Sequence, residues 1–420
     1  MIGKTVIGNG VRVLTEAMPQ VVSSSIGIWV ENGSRYEEPA ENGVSHFIEH
    51  LLFKGTKTRT AAQIAEEIDA VGGVLNAFTG KEYTCYYAKV LGKDLEMATD
   101  LLADIFLNSL FEPAEIDRER QVVLQEISQA EDTPDDFIHD LFALNFWKGH
   151  PLALPIFGSV ETVNQIDREL LTTFMAERYR AGRVFIAAAG ELDHGRLAAQ
   201  CGRLFGGVAG DGKVEKISPP ADRAAVVIEE KKLEQAHICI GGPAISSTHP
   251  LRYAAYILNA ALGGGMSSRL FQEVREKRGR VYSIYSFVSS FIDSGYFGIY
   301  AGTNPEWVDE VLEVTIAEIK KLAREGLAPA ELDRNKSQLK GNMLLGMEST
   351  DSRMNRLARN EIYFRRDVPL DELAAEIDSV TNDQIAQLAA SWFRPAKMAM
   401  VLLGDLKGRA PGAEVFSPLG

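Results

Sequence analysis

The chain has 420 residues, more than one ordinary hydrophobic core organises and comfortable for two domains. It is 45% hydrophobic and 24% charged, the composition of a folded globular chain, and no apolar run is long enough to span a bilayer. The formal net charge of -14 argues against a life on nucleic acid, which needs basic surface to displace counterions, and is compatible with basic peptides as partners.

The first segment, MIGKTVIGNGVRVLTEAMPQ, alternates apolar and polar residues around Asn9-Gly10. That pattern predicts a β-hairpin and lacks the continuous apolar core of a signal peptide. SSSIGIWVEN continues as a strand. Asn42 and Ser45 then stand before a helical run, HFIEHLLFKGT, that ends near Gly55. Residues four apart on a helix share a face, so His46 and His50 can point at one ion. Imidazole nitrogens suit zinc, and catalytic zinc takes three protein ligands and keeps a fourth position for water. Glu49, beside His50, is placed to act on that water as general base.

VLNAFTG and TCYYAKV read as further strands, and EIDRERQVVLQEISQAED as a long helix from about Pro113, a residue suited to a first turn. Glu119 and Glu126 lie two turns apart on one face of it. One can supply the third ligand while the other supports the site; spacing alone leaves open which. His139 and His150 flank an aromatic helical stretch, and His194, His237 and His249 are isolated, so all five read as caps, turns or core residues. RVFIAAAG closes the first half as an apolar strand. Cys85, Cys201 and Cys239 form neither a disulfide framework nor a metal clip, which points to a reducing, cytoplasmic setting.

The chain is then written a second time. PAEIDR at Pro113 to Arg118 returns as PAELDR at Pro329 to Arg334, 216 residues on. YRAGRVFIAAAGEL from Tyr179 is echoed by FRPAKMAMVLLGDL from Phe393, 214 residues on. Two such offsets indicate a duplicated domain. The Gly-rich, Pro-ended stretch 206–220 reads as the linker, giving domains 1–210 and 220–420. In each half strands and helices segregate into blocks, which predicts an α+β fold: two α/β sandwiches, each a mainly antiparallel sheet against helices.

HFIEHLLFKGT followed by ERQVVLQEI closely resembles the pitrilysin/insulinase family of zinc peptidases, in the branch akin to mitochondrial processing peptidase. The resemblance covers essentially the whole chain. It implies a zinc metalloendopeptidase with His46, His50 and Glu126 as ligands, Glu126 lying 76 residues after His50. It further implies Glu49 as base and Glu119 as a second glutamate supporting catalysis. GGVLNAFTGKEYTCYY resembles the family's strand beside the active site, where Asn76 and Ala77 would meet substrate. In the second half, LGGGMSSRLFQEVREKRGRVYSIYS resembles the glycine-rich loop and Arg/Tyr pair, implying that Arg275 and Tyr282 contact the substrate backbone and the tetrahedral intermediate. That half has no His-x-x-Glu-His, and Asn335 and Asn342 stand where Glu119 and Glu126 repeat, so it would be degenerate and contribute binding surface. The implied assembly is two chains, alike or different, closing around a chamber that admits peptides or unfolded segments, with no nucleic-acid or membrane partner. The competing reading is a noncatalytic partner or scaffold subunit of a processing-peptidase-like complex. General peptide clearance and maturation of one dedicated precursor fit the chemistry equally.

Overall fold

The structure, a computed structural model, describes residues 2–210 and 212–419. It divides into two compact units. The first holds residues up to Gln129, Leu154–Ile217 and Gly346–Asp367; the second holds Ala130–Ala153, Ser218–Leu345 and residues from Val368 onward.

Strands β1 (Ile2–Val6), β2 (Arg12–Ala17), β3 (Ser23–Val30), β4 (Val74–Thr79), β5 (Thr84–Leu91) and β6 (Val184–Gly190) form the first sheet, in the order β1-β2-β6-β3-β5-β4. Strands β7 (Val226–Glu229), β8 (Ala236–Pro243), β9 (Val281–Ser290), β10 (Gly295–Thr303) and β11 (Ala399–Leu403) form the second, in the order β7-β11-β8-β10-β9. From β2 onward the two orders are the same. Each sheet has one parallel pair, β2 with β6 and β7 with β11, and is otherwise antiparallel. The helices of the first half are α1 (Val44–Leu52), α2 (Ala61–Ala70), α3 (Leu95–Asn108), α4 (Pro113–Glu131), α5 (Pro134–Phe146), α6 (Val160–Gln165), α7 (Arg168–Arg178) and α8 (His194–Phe205). Those of the second are α9 (Arg252–Gly263), α10 (Val308–Glu325), α11 (Pro329–Gly346), α12 (Thr350–Phe364), α13 (Leu370–Asp378) and α14 (Asn382–Trp392). The fold is α+β, duplicated.

The hairpin of β1 and β2 turns at Gly10, whose φ of 101° suits a residue without Cβ. Strands β3 and β6 are buried almost throughout, which requires cover on both faces of the sheet. One face packs on α1, α3 and α8 through Phe47, Leu51, Leu101, Leu102, Leu197 and Phe205. The other, carrying Leu14, Trp29, Cys85 and Phe185, is covered by Met354, Leu357, Ala358 and Ile362 of α12. In the second unit the corresponding face, with Cys239, Tyr300, Ala399 and Val401, is covered by Ile138, Phe142 and Phe146 of α5.

Each unit thus takes one helix from the other half of the chain. The same glycine admits it in both. A Cβ on Gly27 of β3 would stand 3.2 Å from Met354 Sδ, and one on Gly241 of β8 would stand 2.6 Å from Phe142 Cζ. These two residues are 214 positions apart, the repeat offset. Helix α12 is also tied down by charge: Lys4 to Glu361 at 2.7 Å, Lys89 to Asp351 at 2.8 Å, Arg365 to Glu31 at 2.5 Å, and Arg353 to Glu16.

Candidate metal centre

Helix α1 begins at Gly43, whose φ of 100° is left-handed and whose missing Cβ would otherwise lie 2.6 Å from the Phe157 carbonyl. Its cap is the buried carboxylate of Glu37, which accepts the Gly43 and Ser45 N–H groups at 2.8 Å each and the Asn42 amide at 3.2 Å. Burial raises the Glu37 pKa, and these bonds work against that rise. The cap comes from a separate turn, so Ser45 lies inside the helix rather than before it. An anion at this end also complements the helix dipole. Val44, Phe47, Ile48, Leu51 and Leu52 are buried on the core side of α1, which leaves His46, Glu49 and His50 together on the other.

The His46 and His50 rings sit 4.7 Å apart. Glu126 Oε2, from α4, is 3.7 Å from His46 Nε2 and 3.5 Å from His50 Nε2. Burial, with His50 alongside, pushes the His46 pKa down to about 3, so this approach is a neutral imidazole facing a carboxylate rather than an ion pair. Ligand bonds of about 2 Å in a tetrahedral zinc site place ligand atoms about 3.3 Å from one another, close to these separations. One ligand atom from each of the three residues lies within 4.8 Å of the others, and no other such group occurs among the described residues. Two imidazoles and one carboxylate suit a divalent metal of zinc's character.

The geometry separates the two glutamates of α4. Glu126 faces the Nε2 atoms, whereas Glu119 accepts from His50 Nδ1 at 3.1 Å and from Lys54 Nζ at 2.7 Å. Donating Nδ1–H to a carboxylate leaves the lone pair on Nε2, where a metal needs it. His46 Nδ1, by contrast, is buried without a partner among the described residues. Glu49 Oε2 accepts from Thr79 Oγ1 at 2.5 Å. Burial raises the Glu49 pKa, against the lowering effect of Thr79 and His50, which increases its appetite for a proton.

Thr79 ends β4, the edge strand of the sheet, so site and open edge adjoin. Asn76 and Ala77 lie on this edge, and the Asn76 side-chain oxygen takes the Ala77 N–H at 2.8 Å. Arg275 and Tyr282 belong to the second unit. Arg275 sits in a π-helical turn, Phe271–Glu276, with its guanidinium 4.8 Å from the Phe271 ring centre, and Tyr282 on β9 is 78% exposed. The remaining histidines have structural partners. His150 and His249 accept backbone N–H groups in turns, and His194 sits between the Thr5 and Thr15 hydroxyls. His139 and His237 bond the Tyr285 and Tyr300 hydroxyls. All three cysteines are free and buried.

Glu37, Thr79 and Lys54 were not among the residues expected from sequence. Glu37 and Thr79 reach α1 from other elements, and nothing in local spacing marks them. A groove of about 1240 Å³ lies at the far end of β5, lined by Met18, Val22, Leu91 and Leu197 among others, and none of the site residues borders it.

A duplicated α+β fold that gathers two imidazoles and a carboxylate, with a further carboxylate beside them, has the donor set of a metallopeptidase. Residues 12–160 match the family described as Insulinase (Peptidase family M16), and residues 165–339 match the Peptidase M16 inactive domain. An uncharacterized zinc protease of Streptomyces coelicolor is 42% identical over 424 residues, covering 99% of this chain and 89% of its own length. The uncharacterized zinc protease YmxG of Bacillus subtilis is 40% identical over 393 residues, covering 94% of this chain and 96% of its own. The chain belongs to the insulinase family of peptidases. In fold it is similar to the peptidase M16 inactive domain from Pseudomonas fluorescens, with a TM-score of 0.91 at 22% identity over 98% of this chain and all of that one. It is also similar to a protease from Helicobacter pylori, with a TM-score of 0.89 at 21% identity, covering 96% and 99% of the two chains. No helix among the described residues is long and apolar enough to cross a membrane.

Proposed function

We propose that the chain is a zinc-dependent endopeptidase that cleaves peptides or unstructured segments, with His46, His50 and Glu126 holding the metal. The observation that carries this reading is the convergence of those three side chains beside a base, Glu49, that is not itself one of the three. The zinc proteases among its relatives support the choice of metal. A bound Zn2+ would polarise the scissile carbonyl and acidify the attacking water. Glu49 takes the proton from that water and delivers it to the leaving amine, while Thr79 holds the carboxylate in place. Glu119 keeps His50 in the tautomer that presents Nε2.

The substrate pairs as an added strand on β4, whose main-chain groups give affinity and whose alternating side chains give preference. The Asn76 side chain then releases the Ala77 N–H to a substrate carbonyl. Arg275 and Tyr282 serve the oxyanion, and two copies of the chain enclose the chamber in the cytoplasm. Glu49→Gln tests the reading: the variant should hold zinc as the parent does while turnover of an unstructured peptide falls by about 10²–10⁴-fold. Undiminished cleavage by a protein freed of other proteases would refute it. Zinc retention with no cleavage by the parent protein, alone or with a partner chain, would favour the scaffold role.

A further inference from the structure

The last polar contact of the centre lies one step beyond the ligands. Glu119 spends its two oxygens on different partners: Oε2 takes His50 Nδ1 at 3.1 Å and Oε1 takes Lys54 Nζ at 2.7 Å. The carboxylate is 4% exposed and the lysine 33%, so the ammonium bridges a nearly dry carboxylate to solvent. We infer that Lys54 is a positioning residue for the metal centre: it fixes the rotation of the Glu119 carboxylate, which in turn fixes the ring of His50. This inference rests on the zinc reading above.

The backbone on both sides of Lys54 is fastened, which aims its side chain. Lys54 comes two residues after the end of α1, and its N–H returns to the Leu51 carbonyl at 3.0 Å. Gly55 then turns the chain with a φ of 117° and accepts Leu110 N–H at 3.2 Å. The next residues are gathered by the buried carboxylate of Asp104, which accepts from Thr56 Oγ1 at 2.7 Å, Thr58 Oγ1 at 2.8 Å and Arg59 Nη1 at 2.9 Å. Arg59 extends the knot to Asp100 at 2.8 Å and Glu67 at 2.9 Å. A long flexible side chain on so firm a turn loses less freedom in holding one contact.

The two imidazoles are therefore supported unequally. His50 is gripped through a relay of two residues, while His46 Nδ1 is buried with no partner among the described residues and the ring is placed by packing, including the edge of Phe157 at 5.6 Å. Groups that orient a ligating imidazole govern how well it holds metal, and their loss costs about 10–100-fold in affinity. Removing the Lys54 ammonium leaves Glu119 Oε1 without its donor in a dry place. The carboxylate then turns toward water and releases the imidazole. A purely electrostatic view gives the opposite sign, because deleting a cation beside a metal site should tighten binding. The direction of the change decides between them.

The experiment uses the full chain, with zinc affinity measured by competition against a chromogenic chelator and the ligand field read from the visible spectrum of the Co2+-loaded protein. Lys54→Met should weaken zinc binding by about 10–100-fold and alter the Co2+ bands, and Lys54→Arg, which keeps a cationic donor, should restore most of both. In a Glu119→Ala background Lys54→Met should add little, because its effect passes through the missing carboxylate. Unchanged or tighter binding by Lys54→Met, or a full additive loss in the double variant, would overturn the inference. A parent chain that takes up no zinc would sink the zinc reading itself, an outcome distinct from a parent that binds zinc and a Lys54→Met variant that binds it equally well.

Discussion

Asp104 gathers the turn that follows Lys54 through Thr56, Thr58 and Arg59. Burial by itself would raise its pKa, but the donors Thr56, Thr58, Arg59 and Asn108 outweigh burial and hold the carboxyl below its ordinary value. A carboxylate whose folded pKa is depressed contributes stability above the unfolded value and loses it as pH falls through the folded one. Asp104→Asn should therefore cost roughly 2 kcal/mol at pH 7, the loss of charge-assisted bonds at a buried site. The gap between parent and variant should narrow as pH falls below about 4. Thermal unfolding from pH 7 down to pH 3 checks this, and a gap that stays constant across that range would contradict it. At this scale the sequence was legible where one helix carried the chemistry. His46, Glu49 and His50 share α1, and Glu119 and Glu126 share a face of α4. Which glutamate meets which imidazole nitrogen depends on how α4 lies against α1, and no spacing within either helix contains that. Glu37 and Thr79 escaped notice because each acts on α1 across a turn or a sheet.

The elements themselves were largely readable. Alternation around Asn9-Gly10 marked β1 and β2, VLNAFTG and TCYYAKV read as β4 and β5, and the apolar run RVFIAAAG read as β6. What periodicity could not reveal was which helix does the covering. An apolar stripe on α5 or α12 states that the helix is buried, not on what. The paired glycines are the local trace of the answer. Gly241→Ala would drive a methyl into the Phe297 backbone and the Phe142 ring, whereas Gly27→Ala would meet the ends of the Trp29, Cys85 and Met354 side chains, which can shift. Gly241→Ala should destabilise by about 1–3 kcal/mol and Gly27→Ala by less, as overpacking does where the neighbour cannot yield. Denaturant melts of the two variants would reverse this account if their order were inverted.

Across the whole molecule the duplication was the plainest signal, since two offsets of about half the chain call for two copies of one architecture, and the sheet orders repeat accordingly. A cut in the linker nevertheless does not yield two complete units. A fragment of residues 1–210 would keep α5 without its sheet and leave Leu14, Trp29 and Phe185 without α12; a fragment of residues 220–420 would lack α5. Apolar faces of that size are not tolerated in water. Expressed singly, both fragments should aggregate, and co-expressed they should assemble and elute together on size exclusion. Monomeric, soluble, cooperatively melting fragments made apart would show that the helix exchange is dispensable.

The exchange bears on heredity as well as on folding. A repeat without its own catalytic ligands would ordinarily be free to decay or be deleted. Here the stretch that carries Asn335 and Asn342, where the first half has Glu119 and Glu126, continues directly into α12, the helix that roofs the sheet beside the metal centre. Deleting the second half would uncover the first sheet. With a helix traded in each direction, neither half can be removed without stripping cover from the sheet of the other.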